Sequence, residues 1–273
     1  MAIEFPEAYT IASQMKTSLV GRRFARVEIR PSAANVIKWG FSNLDKVDIA
    51  GEEISGVLHY GDEIHIQMGD RHLMFGDLIG RLLYHAPGQQ VHPKARIIFY
   101  LDDGAAFSYL ISLYGYARVL TTRDEIDRFI REQGISPLDP AFSPAYMAKV
   151  FSESKRKIAK QNNIYGIQYK AGGIGNGYWQ DVLFKAGVLP IRKSASLTDA
   201  DFEKLHRSSV DVISAATAAH GHFDELDFFD QPGGYRRILG KHSKDQPCPQ
   251  CGGAITTKNL LGSTSYYCQN CQH

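Results

Sequence analysis

The stretch Cys248-Pro-Gln-Cys251, followed after sixteen residues by Cys268-Gln-Asn-Cys271, contains all four cysteines of the 273-residue chain. Two Cys-x-x-Cys turns, each aiming two sulfurs at one point, are typical of a tetrahedral zinc site. The alternative is a pair of disulfides, which a reducing cytosol disfavours. Four thiolates leave no open position for water, so the spacing predicts one structural zinc ion.

The segment between the two cysteine turns has β-forming residues on both sides of Gly262-Ser263 and predicts a hairpin over residues 254–267. A ribbon this small cannot bury a useful hydrophobic core. The metal must therefore supply its stability, on the order of 10 kcal/mol in comparable peptides. We expect a zinc finger over residues 241–273.

Upstream of the ribbon, a glycine-rich loop, Gly173-Ile-Gly-Asn-Gly-Tyr178, separates two predicted helices, with Asn176 placed to cap the second. Such a turn at a helix N-terminus is a ready anion site, because backbone amides and the helix dipole converge there. Glycine turns also serve as plain connectors. A basic stretch before the loop favours phosphate binding, although it could be a solvated face: Lys149, Lys155, Arg156, Lys157, Lys160 and Lys170.

The composition and the N-terminus exclude two classes of protein. No run of 18 apolar residues occurs, which excludes a spanning helix. Glu4 and Glu7 interrupt the region where a secretory signal would need its basic and apolar segments. We therefore expect a cytoplasmic protein.

The hydrophobic periodicity predicts an α+β fold with three parts. A helix over residues 1–20 precedes short alternating strands between residues 24 and 120, the pattern of a β-sandwich, and a helix follows over 122–133. Residues 134–140 form a linker, and helices are predicted over 144–154, 154–161, 177–186 and 198–220. The predicted domains are a β-sandwich (1–133), a helical domain (134–240) and the zinc finger (241–273).

Four features in chain order resemble the formamidopyrimidine-DNA glycosylase / endonuclease VIII family of base-excision repair enzymes. Glu4-Phe-Pro-Glu7 is similar to the family's N-terminal Pro-Glu-Leu-Pro-Glu stretch, and Gly134-x-x-Pro-Leu138 to the entry of its helical domain. Gly173–Tyr178 followed by Asp181 and Leu183 resembles its helix–two-turn–helix motif, and the cysteines resemble its zinc finger. The resemblance implies a monomer that binds double-stranded, damaged DNA between a β-sandwich and a helical domain.

The resemblance also implies a chemistry and the residues that would perform it. The family uses an N-terminal proline amine as nucleophile at C1′ of a damaged nucleotide, and a neighbouring glutamate moves the protons. Here Glu4 aligns with that glutamate, Glu7 with the second one, and Ala2 would supply the amine. Contacts to DNA would come from the helix entry and its neighbours: Gly173, Gly175, Asn176, Tyr178, Lys155, Lys157 and Arg237.

The sequence departs from the family pattern at four positions. Ile3 occupies the place of the proline, and Gly61-Asp-Glu-Ile64 that of a phosphate-binding lysine strand. Leu113-Tyr114-Gly115 stands where Arg-Phe-Gly fills the space of a flipped base, and Ser263 where the zinc hairpin has an arginine. Two hypotheses follow: a divergent DNA glycosylase/AP lyase, or a lesion- or structure-binding DNA protein without that chemistry. Binding of RNA or protein through the ribbon is a third.

Overall fold

The computed structural model describes residues 3–77, 79–112, 115–153, 171–260 and 262–273. The chain forms two compact units. Unit 1 comprises the chain up to Arg131 together with Ala219–Gly234, and unit 2 comprises Glu132–Ala218 with Tyr235–His273. The predicted α+β class is confirmed, with an N-terminal helix and β-sandwich, C-terminal helices and a zinc-ribbon hairpin.

Unit 1 starts with helix α1 (Phe5–Leu19), which has Pro6 in its first turn and ends two residues before Gly21. Two four-stranded antiparallel sheets follow, with orders β1-β6-β7-β5 and β2-β3-β4-β8. The strands are β1 (Phe24–Ile29), β2 (Gly56–Tyr60), β3 (Glu63–Met68), β4 (Arg71–Gly76), β5 (Gly80–His85), β6 (Ile97–Leu101), β7 (Ala106–Ile111) and β8 (Tyr116–Leu120).

Aromatic side chains from the two sheets form the centre of the sandwich. Phe99 and Phe107 stack with ring centroids 4.6 Å apart, and Phe75 of the other sheet meets Phe99 edge-on at 5.7 Å. All three are fully buried, so each contributes roughly 2 kcal/mol of hydrophobic stabilisation. The alternation of apolar residues in the sequence thus correctly indicated a β-sandwich.

Local details differ from the sequence-based expectations. The short helix α2 (Ala34–Lys38) was not predicted, and β2 and β8 were not recognised as individual strands, since five residues show little periodicity. The helix expected over residues 122–133 is α3 (Arg123–Gln133). The one expected over 154–161 lies wholly outside the described residues.

Residues 219–234 follow the last long helix but pack with unit 1. Phe228 is fully buried in the sandwich core, and its carbonyl accepts a hydrogen bond from the Tyr84 amide at 2.8 Å. Gln14 of α1 donates to Asp227 and accepts from the Phe228 amide. The predicted helical domain (134–240) included this stretch, but its burial makes it a structural part of unit 1.

Unit 2 contains helices and the hairpin. The helices are α4 (Pro144–Glu153), α5 (Asn176–Ala186) and α6 (Asp199–Ala218), and the hairpin strands are β9 (Ile255–Leu260) and β10 (Ser263–Cys268). α6 packs against both α4 and α5, and the fully buried Trp179 of α5 lies with its ring centroid 6.1 Å from that of Phe151 of α4. α5 ends at Gly187 in the left-handed conformation. Among the described residues, no helix has the length and apolarity that a membrane crossing requires.

A buried histidine pair lies on the face of the β2-β3-β4-β8 sheet in unit 1. His65 Nδ1 is 3.1 Å from His72 Nδ1, its Nε2 is 3.4 Å from the Glu63 carboxylate, and the Tyr60 ring meets it edge-on. Burial, and secondly the neighbouring His72, lower the pKa of His65 from 6.5 to about 3. His65 therefore stays neutral in the folded protein far below the pH at which it is protonated in the unfolded chain.

We expect acidification to destabilise unit 1 through this group. Below pH 6.5 the unfolded chain binds a proton that folded His65 does not take up until about pH 3, so stability falls across that window. Between pH 6.5 and 4.5, the unfolding free energy of His65→Phe should fall by about 1 kcal/mol less per pH unit than that of the wild type. Urea titration at each pH measures both slopes. The exposed-site control His273→Gln should keep the wild-type slope; an unchanged slope in His65→Phe would contradict the assignment.

Candidate nucleic-acid interface and zinc centre

The N-terminus of α1 in unit 1 holds two buried carboxylates. Glu4 is the N-cap residue, and its backbone amide donates to Glu7 Oε2 at 3.1 Å. Glu7 Oε1 accepts from the His222 amide at 2.8 Å. The Glu7 carboxylate thus binds one backbone amide with each oxygen and connects α1 to the segment 219–234, which is a structural role.

Gly221 makes this connection possible. Its φ of +93° lies in the left-handed region, and a Cβ there would come within 2.9 Å of Glu7 Oε1. A side chain would therefore displace the carboxylate.

Ile3, in the place of the family's proline, is 4% exposed and belongs to the hydrophobic core of unit 1. Ala2, the predicted amine, lies outside the described residues.

The glycine-rich loop of unit 2 enters α5 through two residues with positive φ. Gly172 has φ +38° and Gly173 has φ +75°. A Cβ on Gly172 would lie 2.3 Å from the carbonyl oxygen of Ile135, so the loop and the linker approach too closely for any side chain. The N-cap is Gly175, and Asn176 is the first helical residue, which corrects the expectation that Asn176 is the cap.

The residues predicted to contact DNA occupy different environments. Asn176 and Gly173 are half-buried at the entry of α5, while the Tyr178 ring is fully buried and packs at 5.5 Å from the Tyr235 ring. The Arg237 guanidinium lies over the Tyr178 ring at 5.7 Å. Tyr178 therefore supports the loop from within. Lys155 and Lys157 lie outside the described residues.

Asp181 fixes the chain that leads into the ribbon. It is fully buried and accepts three hydrogen bonds, from the Tyr235 hydroxyl at 3.0 Å, the Ile238 amide at 2.9 Å and the Leu239 amide at 3.0 Å. Burial raises the pKa of Asp181, and the three donors act against that shift. The aspartate thus attaches segment 235–239 to helix α5.

Two glutamines attach the ribbon itself to α5. Gln180 Oε1 accepts from the Tyr266 amide of β10 at 3.0 Å, and its Nε2 donates to the Asn176 carbonyl at 3.3 Å. Gln272 donates to the Val188 carbonyl and accepts from the Cys268 amide, both at 2.9 Å. The hairpin and the N-terminal turn of α5 are therefore held in one fixed arrangement.

The four cysteines have the geometry that zinc requires. Their sulfurs all lie within 4.8 Å of one another, with Cys248–Cys271 at 3.8 Å and Cys251–Cys268 at 3.5 Å. A tetrahedral ion with zinc–sulfur bonds of about 2.3 Å places its ligands about 3.8 Å apart. The site therefore holds one structural Zn²⁺, as the sequence predicted.

Sequence reasoning missed three of these groups. Nothing in the local spacing shows that Gln180 and Gln272 bind backbone atoms of other elements, or that the His222 amide pairs with Glu7. Asp181 was part of the recognised motif because it follows Tyr178 by three residues, one helical turn, but its partners were not predictable.

Two family models match this architecture. The formamidopyrimidine-DNA glycosylase H2TH domain matches residues 133–225, and the zinc finger found in FPG and IleRS matches residues 245–273. With the sandwich, the glycine-rich helix entry and the four-cysteine site, these matches define a protein of the helix–two-turn–helix class with a zinc finger.

Relatives extend the similarity over nearly the whole chain. The formamidopyrimidine-DNA glycosylases of Desulforamulus reducens and Pelotomaculum thermopropionicum are 28% and 27% identical, each over 98% of both chains. A solved structure of MutM (Fpg) from Thermus thermophilus shares the fold with a TM-score of 0.82 at 22% identity, over 98% of both chains. Lactococcus lactis Fpg, in complex with DNA containing N7-benzyl-Fapy-dG, has a TM-score of 0.84 at 18% identity, over 98% and 99%. Together these matches support the formamidopyrimidine-DNA glycosylase / endonuclease VIII family as the one that the chain resembles.

Proposed function

We propose that this protein binds double-stranded, damaged DNA as a base-excision-repair protein of the glycosylase/AP lyase type. The observation that carries the proposal is the entry of α5, where a glycine-rich loop leads into a helix N-terminus. Gln180 attaches the zinc hairpin to this helix, and Asp181 attaches the segment that leads into the ribbon. Its relatives carry the name formamidopyrimidine-DNA glycosylase, and the Lactococcus lactis protein was solved with DNA. A cytoplasmic monomer is part of the proposal.

The α5 entry suits a phosphate for electrostatic reasons. The first-turn amides of a helix point along its axis toward the N-terminus, where the dipole leaves about half a positive charge. Gly173 is half-buried and has no side chain, so a phosphate oxygen can approach its backbone directly, whereas Gly175 is buried as the N-cap. Contacts to phosphates do not distinguish one base from another, so we expect these contacts to give similar affinity for DNA duplexes of any sequence.

Asn176→Ala tests the α5 entry. Loss of one contact to a charged phosphate should lower affinity about tenfold on any duplex sequence, measured by fluorescence anisotropy. Gln90→Ala, which removes an exposed amide from a loop of unit 1, serves as the control and should bind like the wild type. The affinity of the wild type should also fall linearly on a log–log plot against salt. Equal affinities of Asn176→Ala and wild type would exclude the α5 entry as the phosphate site.

For the chemistry, we propose that the α-amine of Ala2, freed by removal of the initiator Met, attacks C1′ of the damaged nucleotide. The glycosidic bond breaks, the base leaves with a proton, and the ring-opened sugar forms an imine with the amine. An α-amine has a pKa near 8, so a useful fraction is unprotonated at neutral pH. Glu4, buried two residues away in the chain, would transfer the protons. Glu7 would hold the segment 219–234 against α1 through its two amide contacts.

A second candidate function is DNA recognition without strand chemistry. It is favoured by Ile3, an apolar side chain buried in the core at the position of the family's nucleophile. An amine displaced by one residue moves by up to about 3.5 Å, a large shift for a reaction that depends on geometry. Covalent trapping with borohydride separates the two candidates.

A further inference from the structure

One exposed aromatic cluster of unit 1 has no part in the proposed chemistry. Trp39 is 60% exposed, more than any other large hydrophobic residue in the described part of the chain. Its ring meets Phe41 edge-on at 6.3 Å, and Phe41 meets Tyr116 edge-on at 5.2 Å. Three rings in contact, with the outermost largely in water, differ from a single scattered surface residue.

Hydrogen bonds hold the backbone amides at Trp39 and the two residues after it. The amides of Trp39, Gly40 and Phe41 donate to Asn35, Ile37 and Val36 at 2.9, 3.0 and 2.9 Å. The Phe41 carbonyl then accepts from the Ala117 amide of β8 at 3.0 Å, and the Asn43 side chain exchanges two hydrogen bonds with Val119. Trp39 therefore projects from a rigid platform and is not exposed because a chain end frays.

Two basic residues lie next to Trp39 along the chain or bind its neighbour Gly40. Lys38 precedes Trp39 and is exposed, and Arg118 of β8 donates from Nη1 to the Gly40 carbonyl at 3.2 Å. A flat aromatic face beside cations complements a nucleic-acid strand, in which a base provides the stacking surface and the phosphates provide the negative charge. A hydrophobic protein partner would need no such charge.

We infer that Trp39 is a stacking site for an unpaired DNA base, with Lys38 and Arg118 beside the adjoining phosphates. The inference rests on the proposed DNA binding and adds a contact by which unit 1 distinguishes locally unpaired DNA from a perfect duplex. Stacking needs an accessible base face, which a fully paired duplex does not offer.

The chain provides its own probe for this inference. It has two tryptophans, and Trp179 is fully buried, so quenching by a bound base reports on Trp39. Titration with a duplex containing an abasic site opposite a normal base, and with a single strand, should quench the fluorescence. A fully paired duplex should quench it much less, and the fluorescence remaining in Trp39→Phe should not respond to DNA.

Affinity measurements complete the test. Trp39→Ala should bind the abasic duplex about tenfold or more weakly, while Trp39→Phe stays within a few-fold of wild type. Tyr9→Ala removes another exposed ring, on α1, and should bind normally. If wild type binds DNA but neither quenching nor the Trp39→Ala loss occurs, this inference is overturned and DNA binding stands. If wild type binds no DNA, the proposed function fails as well. Concentration-dependent self-association abolished by Trp39→Ala would instead assign the surface to a second copy.

Discussion

Removing the zinc is expected to unfold residues 246–273 while leaving unit 1 folded. The ribbon's few buried apolar residues, such as Ile255, cannot stabilise it alone, and metal binding contributes on the order of 10 kcal/mol in comparable sites. Cys251→Ser, or chelation of wild type, should therefore abolish amide protection in β9 and β10 by hydrogen exchange. DNA affinity should fall with it, because the ribbon is attached to the α5 entry through Gln180.

Two controls make this result specific. Thr264→Ala changes an exposed hairpin residue and should keep both the zinc and the amide protection. Adding zinc back to the chelated wild type should restore protection and DNA affinity together. Protein that has demonstrably lost its zinc, yet retains protected hairpin amides, would show that the metal does not stabilise the ribbon.

The second large effect is expected at Asp181. Replacement by alanine leaves the Tyr235 hydroxyl and the Ile238 and Leu239 amides without their acceptor. Buried donors left unsatisfied cost about 1–3 kcal/mol each, so Asp181→Ala should lower the unfolding free energy of unit 2 by about 3 kcal/mol or more. Urea unfolding followed by circular dichroism measures this loss.

A graded series separates the hydrogen bonds from a change in packing. Tyr235→Phe removes one of the three donors and should cost about 1 kcal/mol. Asp181→Asn keeps the shape but presents an NH₂ group to one donor, so its cost should lie between those of the other two variants. A loss below 1 kcal/mol in Asp181→Ala would show that segment 235–239 is held by other contacts.

Features that depend on short sequence spacing were predictable, and those that depend on distant partners were not. The zinc site follows from two Cys-x-x-Cys turns, and strands β3 and β7 from local alternation. The packing of Phe228 into the sandwich core joins residues more than a hundred positions apart, so no local pattern indicates it. The structural use of Glu7 was hidden for the same reason, because its partner is the backbone amide of His222.

Glu7 and Ile3 also change how the family chemistry applies to this chain. The carboxylate of Glu7 accepts hydrogen bonds from two backbone amides, and the proposed chemistry assigns the proton transfer to Glu4. Ile3 anchors the chain in the core directly before α1. The proposed chemistry therefore places the α-amine on a residue that precedes Ile3.

Borohydride trapping on a duplex with a single abasic site tests the central claim of glycosylase/lyase-type DNA repair most directly. The protein should carry Ala2 as its first residue, verified by mass, and be present at a concentration that saturates the DNA. The account predicts a covalent protein–DNA adduct that maps to the N-terminal peptide and is strongly reduced in Glu4→Gln. Saturated DNA binding without any adduct would contradict that chemistry and leave a DNA-recognition protein on the repair scaffold.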